Sequence, residues 1–189
     1  MYKFLRIFCG GILQLLFKFK VYDKNKIPEN GPVIICANHT SVMDPIVLAQ
    51  VCDRKIYFMA KEELFNKPVL GFFVRKLDAF PVNRSKTDLK SVRTAMSILK
   101  RGDVLGIFPE GTRVKTVSAD NIKEGVGMIS NRTGAPILPV YIDTEYKLFR
   151  PIKVSFRDLV YPENFKDFGR DTNKEITMEV YKKIYNIEE

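Results

Sequence analysis

Six short segments constrain this chain most: Val33–Ala37, Ile56–Ala60, Ala79–Val82, Val104–Phe108, Ile137–Ile142 and Ile152–Phe156. Each is too short for a buried helix and ends in polar or turn residues, so each reads as a strand, and the unbroken apolar run Val33–Ala37 as a buried one. Segments of helical character separate them. Pro45–Val51 is one, and Lys61 to Lys76 is a second in two pieces broken at Pro68. Asp88 to Arg101 places Leu89, Val92, Met96 and Leu99 on one face and stops at Gly102. Ile122 to Asn131 is a weaker helix. Thr172-Asn-Lys-Glu175 has the form of a capping box opening a last helix, whose apolar face is Ile176, Val180, Ile184 and Ile187. Strands alternating with helices predict an α/β fold: a layered, mixed, largely parallel sheet flanked by helices. Such sheets bind ligands at the carboxyl ends of their strands.

The segment before the first run differs. Tyr2 to Val21 is apolar but interrupted by Lys3, Arg6, Gln14, Lys18 and Lys20. On helical spacing Lys3, Arg6, Gly10, Gln14 and Lys18 form one stripe, while Phe4, Leu5, Phe8, Ile12, Leu15, Leu16 and Phe19 cover most of the rest. This predicts an amphipathic helix lying in a membrane interface, the alternative being a helix packed on the body. No uninterrupted apolar run of about 18 residues exists, and no signal-cleavage pattern follows. The turn cluster Ile27-Pro-Glu-Asn-Gly-Pro32 divides the chain into a membrane-associating segment, 1–26, and a main domain, 27–189.

Charge narrows the partners. Lys and Arg outnumber Asp and Glu by 31 to 22, a net of +9; residues 171–189 hold five acids against three bases, so 1–170 carry the whole excess. A basic body meets polyanions: nucleic acid, an anionic membrane surface, or phosphorylated substrates. Cys9, Cys36 and Cys52 are widely spaced, with no CxxC, which argues against disulfides or zinc and for a reducing compartment. His39 is the single histidine, so any imidazole chemistry runs through it.

Three strand ends carry polar groups. In Asn38-His39-Thr40-Ser41-Val42-Met43-Asp44, a carboxylate across a tight turn from the imidazole can accept its Nδ1 proton and leave Nε2 as a general base. His39 can equally be a turn histidine, and Asp44 a helix cap before Pro45. In Phe108-Pro109-Glu110-Gly111-Thr112-Arg113, Gly111 permits a tight turn, Glu110 can hold a hydroxyl, and Arg113 can fork onto a phosphate; an ion pair closing the turn is the plainer alternative. Ala79-Phe-Pro-Val-Asn-Arg84 ends in a third cation. There is no G-x-S-x-G elbow and no phosphate-binding loop ending in Lys-Ser/Thr.

Taken in order, these motifs resemble those of the glycerolipid acyltransferases, in particular the 1-acylglycerol-3-phosphate (lysophosphatidate) acyltransferases. His39 to Asp44 is similar to the family's His-x4-Asp signature. Ala60-Lys61-Glu62-Glu63-Leu64-Phe65, Pro68, Gly71 and Phe80 to Arg84 resemble its second block. Phe108 to Arg113 resembles its third, Ile122 to Gly125 the segment after it, and Ala135 to Val140 its fourth. Asn83 and Val114 depart from the pattern, standing where the family often has Asp and Ser.

The resemblance implies transfer of a fatty acyl group from acyl-coenzyme A or acyl carrier protein to the free hydroxyl of 1-acylglycerol-3-phosphate, giving phosphatidate. It implies no metal, no other cofactor and no covalent acyl-enzyme. His39 would be the base and Asp44 its partner. Arg84 and Arg113, with Lys61, would hold the phosphate, Glu110 would position the glycerol, and amides at Gly111 or Thr112 would face the oxyanion. An anionic membrane surface at the cytoplasmic face would be a partner, and nucleic acid would not. The rival readings are acylation of glycerol-3-phosphate or another lysolipid, a hydrolase using the same pair on water, and a non-catalytic basic lipid-binding protein.

Overall fold

The computed structural model describes residues 11, 13, 16–83, 88–113 and 123–187. The segment 1–10, Arg84, Val114 and Ile122 lie outside the described residues. Among the described residues the strands are β1 (Lys18–Tyr22), β2 (Val33–Ala37), β3 (Ile56–Lys61), β4 (Phe80–Val82), β5 (Val104–Ile107), β6 (Ile137–Asp143) and β7 (Pro151–Phe156). The α-helices are α1 (Asp44–Val51), α2 (Pro68–Lys76), α3 (Leu89–Lys100), α4 (Gly125–Thr133) and α5 (Thr172–Tyr185). No helix among the described residues is long and apolar enough to cross a membrane.

The strands form one sheet in the order β1-β7-β6-β2-β5-β3-β4. Every pairing is parallel except β6 with β7. The sheet is therefore mixed and largely parallel, as its alternation with helices predicts. All five residues of β2 are buried, which explains its unbroken apolar sequence. Its side chains alternate between two cores. Val33, Ile35 and Ala37 pack with Val47, Leu48 and Val51 of α1. Ile34 and Cys36 pack with residues of α3, α4 and α5, among them Ile98, Ile129 and Ile176. This period-two division builds helical layers on both faces.

Local chemistry fixes the joints. Asp88 caps α3 by accepting from Ser91 N at 3.1 Å, and its other oxygen accepts from Asn83 N at 2.9 Å, tying the end of β4 to the helix start. Gly102 adopts φ 80° just past α3, as its role in stopping that helix requires. The Arg54 guanidinium donates to Pro28 O, Gly31 O and Gly102 O, binding the turn at 27–32 to the main body.

Several expectations need correction. Lys18 to Val21 is not helical. It lies in β1, parallel to β7, where Phe19 and Val21 turn toward the core and Lys18, Lys20 and Tyr22 face outward. Lys-Phe-Lys-Val-Tyr alternates with period two, so it makes a one-sided edge strand rather than the end of a helix. The sheet thus begins before the division set at residue 27. Thr172 does not cap α5. Its hydroxyl donates to Phe165 O and Gly169 O, and the helix begins at Thr172 itself. Ile187 lies beyond the helix end and is exposed, while Ile176, Val180 and Ile184 are buried as expected.

Gly127 of α4 marks the tightest helix crossing. A β-carbon there would lie 2.0 Å from Asn173 O and 2.5 Å from Thr177 Oγ1 of α5. Backbone cannot yield as a side chain can, so Gly127→Ala must push the helices apart. Overpacking of this kind costs about 1–3 kcal/mol. The expected result is a lower urea midpoint with an unchanged slope; an unchanged midpoint would mean the crossing is looser than drawn.

Candidate active site

β2 and β5 are neighbours and parallel, so the loops leaving their carboxyl ends meet on one rim of the sheet. The β2 loop starts with Asn38, buried, whose amide mimics one further rung of sheet. Nδ2 donates to Ile142 O at 3.0 Å, and Ile142 N donates to Oδ1 at 2.7 Å. The next residue is His39. Its side chain is 14% exposed, against 0% for that of Asp44.

Asp44 is the first residue of α1 but does not cap it. Its side chain turns back into the preceding loop. Oδ2 accepts from His39 Nδ1 at 2.8 Å, Thr40 N at 2.7 Å and Ser41 N at 2.8 Å. Oδ1 accepts from the hydroxyl of Tyr146. A buried carboxylate is tolerable only when its lone pairs are filled this way. The contact makes Nδ1 the proton-bearing nitrogen and leaves Nε2 with its lone pair. The imidazole stacks on Phe108 with centroids 4.1 Å apart and planes inclined by 20°, and Phe108 stacks in turn on Phe58.

His39 lines a cleft of about 490 Å³. One wall is apolar, with Val42, Met43 and Ile46 on the loop and α1, and Leu70, Phe73 and Val74 on α2. Lys61, Thr112 and Arg113 add polar and cationic groups. The structure therefore brings together four of the residues singled out by sequence: His39, Lys61, Thr112 and Arg113. Lys61 also pairs with Glu63 at 3.1 Å on the exposed rim. Gly111 adopts φ 65° and its N donates to Phe108 O, closing the tight turn its sequence predicts. It borders a second cavity, lined in part by Asn83, Asp88 and Lys123. Arg84 lies outside the described residues.

Glu110 is only 4% exposed and does not line the cleft. No ion pair joins it to Arg113 among the described contacts. Instead Oε1 accepts from the Tyr185 hydroxyl of α5 at 2.8 Å, and Oε2 is buried without a partner. Burial holds the Glu110 pKa above its ordinary 4.5, outweighing the hydrogen bonds from the local backbone and from Tyr185. Burial, with the nearby Glu110 charge, likewise pushes up the Cys36 thiol. Tyr146, Tyr185 and Phe108 all touch site residues, and no motif in the sequence assigned them that role.

With this geometry in view, the relationship to known proteins is direct. The acyltransferase family profile matches residues 18–143, and the chain belongs to that family. It is 36% identical over 140 residues to a 1-acyl-sn-glycerol-3-phosphate acyltransferase of Bacillus subtilis, covering 74% of this chain and 69% of that protein. A protein of the same name from Streptococcus pneumoniae is 30% identical over 122 residues, 63% of this chain and 45% of its own length. The chain thus spans about two thirds of the first relative and under half of the second. Its structure resembles the crystal structure of the 1-acyl-sn-glycerophosphate (LPA) acyltransferase PlsC of Thermotoga maritima, with TM-score 0.74 and 26% identity over 98% of this chain and 79% of that one.

The buried Glu110 carboxyl sets a pH test. In the unfolded chain it ionises near 4.5; in the folded chain it resists. Stability contributed by the neutral carboxyl is therefore complete below 4.5 and drains away as pH rises toward the higher folded value. Glu110→Gln should gain on the wild type in melting temperature as pH climbs through that window. A difference that stays constant with pH would show that the carboxyl is not held out of its charged form.

Proposed function

We propose that this protein acylates lysophosphatidate: an acyl thioester, of coenzyme A or of acyl carrier protein, gives its acyl group to the free hydroxyl of 1-acylglycerol-3-phosphate. The observation that carries the reading is the contact of His39 Nδ1 with Asp44 Oδ2 at the mouth of a cleft that is apolar on one wall and cationic on another. The names and similarity of the relatives support the acceptor.

In this reading His39 Nε2 takes the proton of the acceptor hydroxyl as its oxygen attacks the thioester carbonyl. The tetrahedral intermediate collapses, the carbon–sulfur bond breaks, and the thiolate recovers the proton from the imidazolium. Asp44 stays ionised throughout and steadies the imidazolium. Gly111 N is engaged with Phe108 O, so of the two amides it is Thr112 N, on the cleft wall, that stabilises the oxyanion. Arg113, together with Arg84 and Lys61, holds the phosphate, and the apolar wall takes the acyl chain. Glu110, turned onto Tyr185, acts from behind by fixing the turn that carries Thr112 and Arg113. A thioester is already activated, so the steps call on no metal and no further cofactor.

The acceptor lives in a bilayer, which gives the basic, apolar amino-terminal segment a purpose. Lys and Arg near an anionic surface contribute about 1 kcal/mol each, and apolar side chains add their burial. The reading places the enzyme peripherally on the cytoplasmic face of the membrane. Because β1 starts at Lys18 and Leu13 and Phe17 are buried, the informative truncation is residues 2–10. It should release the protein from phosphatidylglycerol vesicles in a sedimentation assay. Unchanged sedimentation would refute the anchoring role.

The test of function is thiol release from acyl-coenzyme A with lysophosphatidate, glycerol-3-phosphate, lysophosphatidylglycerol or water. Release with lysophosphatidate, and phosphatidate as product, is expected. Release with water alone would identify a hydrolase, and no release with any acceptor a binding protein. His39→Ala should slow turnover by about 10²–10⁴-fold with lysophosphatidate binding kept. Full turnover in that variant would end the assignment.

A further inference from the structure

The loop between β6 and β7 sends one side chain into the site from far along the chain. The Tyr146 hydroxyl donates to Asp44 Oδ1, 102 residues away in sequence. The two carboxylate oxygens are unequally served. Oδ2 has three donors, two of them backbone amides of its own loop. Tyr146 supplies the one described donor to Oδ1. Asp44 is fully buried, so bulk water does not stand in for that donor.

Tyr146 is itself held in place. Its backbone lies in the left-handed region at φ 50°, a conformation that costs a residue with a β-carbon about 1 kcal/mol or more and persists only where surroundings enforce it. Its N donates to Thr144 Oγ1 at 3.0 Å. Phe17 meets its ring edge-on at 6.4 Å, and three residues on Phe149 N donates to Leu16 O at 2.9 Å. Burial and the adjacent carboxylate push the phenol pKa up, so the hydroxyl remains a donor throughout the neutral range.

From this contact we infer that Tyr146 is a positioning residue of the His39–Asp44 pair: it fixes the rotation of the carboxylate and withdraws part of its charge, thereby setting the basicity of His39. The inference deepens the proposed acyl transfer and rests on it for its catalytic meaning. Two effects follow from losing the hydroxyl. The carboxylate, gripped through Oδ2 alone, loses orientation. Its charge is also less neutralised, so it favours the imidazolium more strongly and His39 becomes harder to deprotonate. The other charged groups acting near the ring are Glu110 of the β5 loop, electrostatically coupled to it, and Lys61 and Arg113, which line the same cleft; none of them changes in the test below.

His39 is the only histidine, so nitrogen-15 NMR of the full chain reads its titration without ambiguity. In Tyr146→Phe the ring titration should move upward. The turnover number should fall about tenfold, the acid limb of kcat/KM should shift upward with the ring, and KM for lysophosphatidate should stay within about twofold. Asp44→Asn is the reference variant and should move the ring the opposite way, downward. If Tyr146→Phe leaves both titration and rate unchanged, the inference is overturned. If it lowers melting temperature with the titration unmoved, Tyr146 only packs, and the inference is equally overturned. A wild type inactive toward every acceptor would sink the transferase reading instead, while the ring titration would still judge the contact.

Discussion

The structure of the site depends on one buried negative charge. Asp44 is out of contact with solvent, and an unpaired carboxylate there would be far too costly to keep ionised. Four donors make it tolerable, and they come from three places: the imidazole, two loop amides and a tyrosine beyond β6. Satisfying the charge therefore folds the loop. Thr40 N and Ser41 N can reach Oδ2 only if the chain curls back before α1, and that curl presents His39 to the cleft. The geometry of the His39–Asp44 pair thus follows from satisfying that charge.

The sheet supplies the frame. β2 is central, with β5 and β6 on its two sides, both parallel to it. Its carboxyl end is thus flanked on one side by the turn of Phe108 to Arg113 and on the other by the end of β6. Each neighbour contributes. Phe108 provides the face on which the imidazole stacks. Ile142 of β6 clasps Asn38, and the loop after β6 delivers Tyr146. Reversal of direction at β7 keeps that loop on the same rim, since β6 runs toward it and β7 runs away.

What was legible in the sequence was whatever is local. β2 ran as its apolar residues predicted, the chain broke at Pro68 where α2 begins, and the helix read from Asp88 to Arg101 stopped before Gly102. The His39–Asp44 contact was legible because five residues across one turn can meet with few alternatives. Two capping signals misled. Asp44 and Thr172 each sit at a helix start, yet each side chain turns to a stronger local partner instead. β1 was hidden because Lys18–Tyr22 follows directly on a helix-patterned stretch. Tyr146 and Tyr185 left no local trace at all. A tyrosine in a loop and one late in an amphipathic helix gain their roles from contacts 102 and 75 residues distant.

Those two tyrosines also mark how differently two buried acids on one rim are served with donors. Asp44 receives four donors over its two oxygens, one of them an imidazole able to carry a positive charge. Glu110 receives Tyr185 on one oxygen and nothing on the other, so burial dominates and its carboxyl resists ionisation. The contrast is consistent with the division of labour proposed for them. In the proposed reaction the acid that steadies the imidazolium must keep its charge, and four donors suit Asp44 to that role. An acid that kept a full charge next to it would compete for the same imidazolium and weaken the directional hold of Asp44 on Nδ1. Turning Glu110 away onto a phenol and disfavouring its charge leaves a single dominant anion beside His39. The Glu110–Tyr185 hydrogen bond also ties the turn that carries Thr112 and Arg113 to the cleft onto α5.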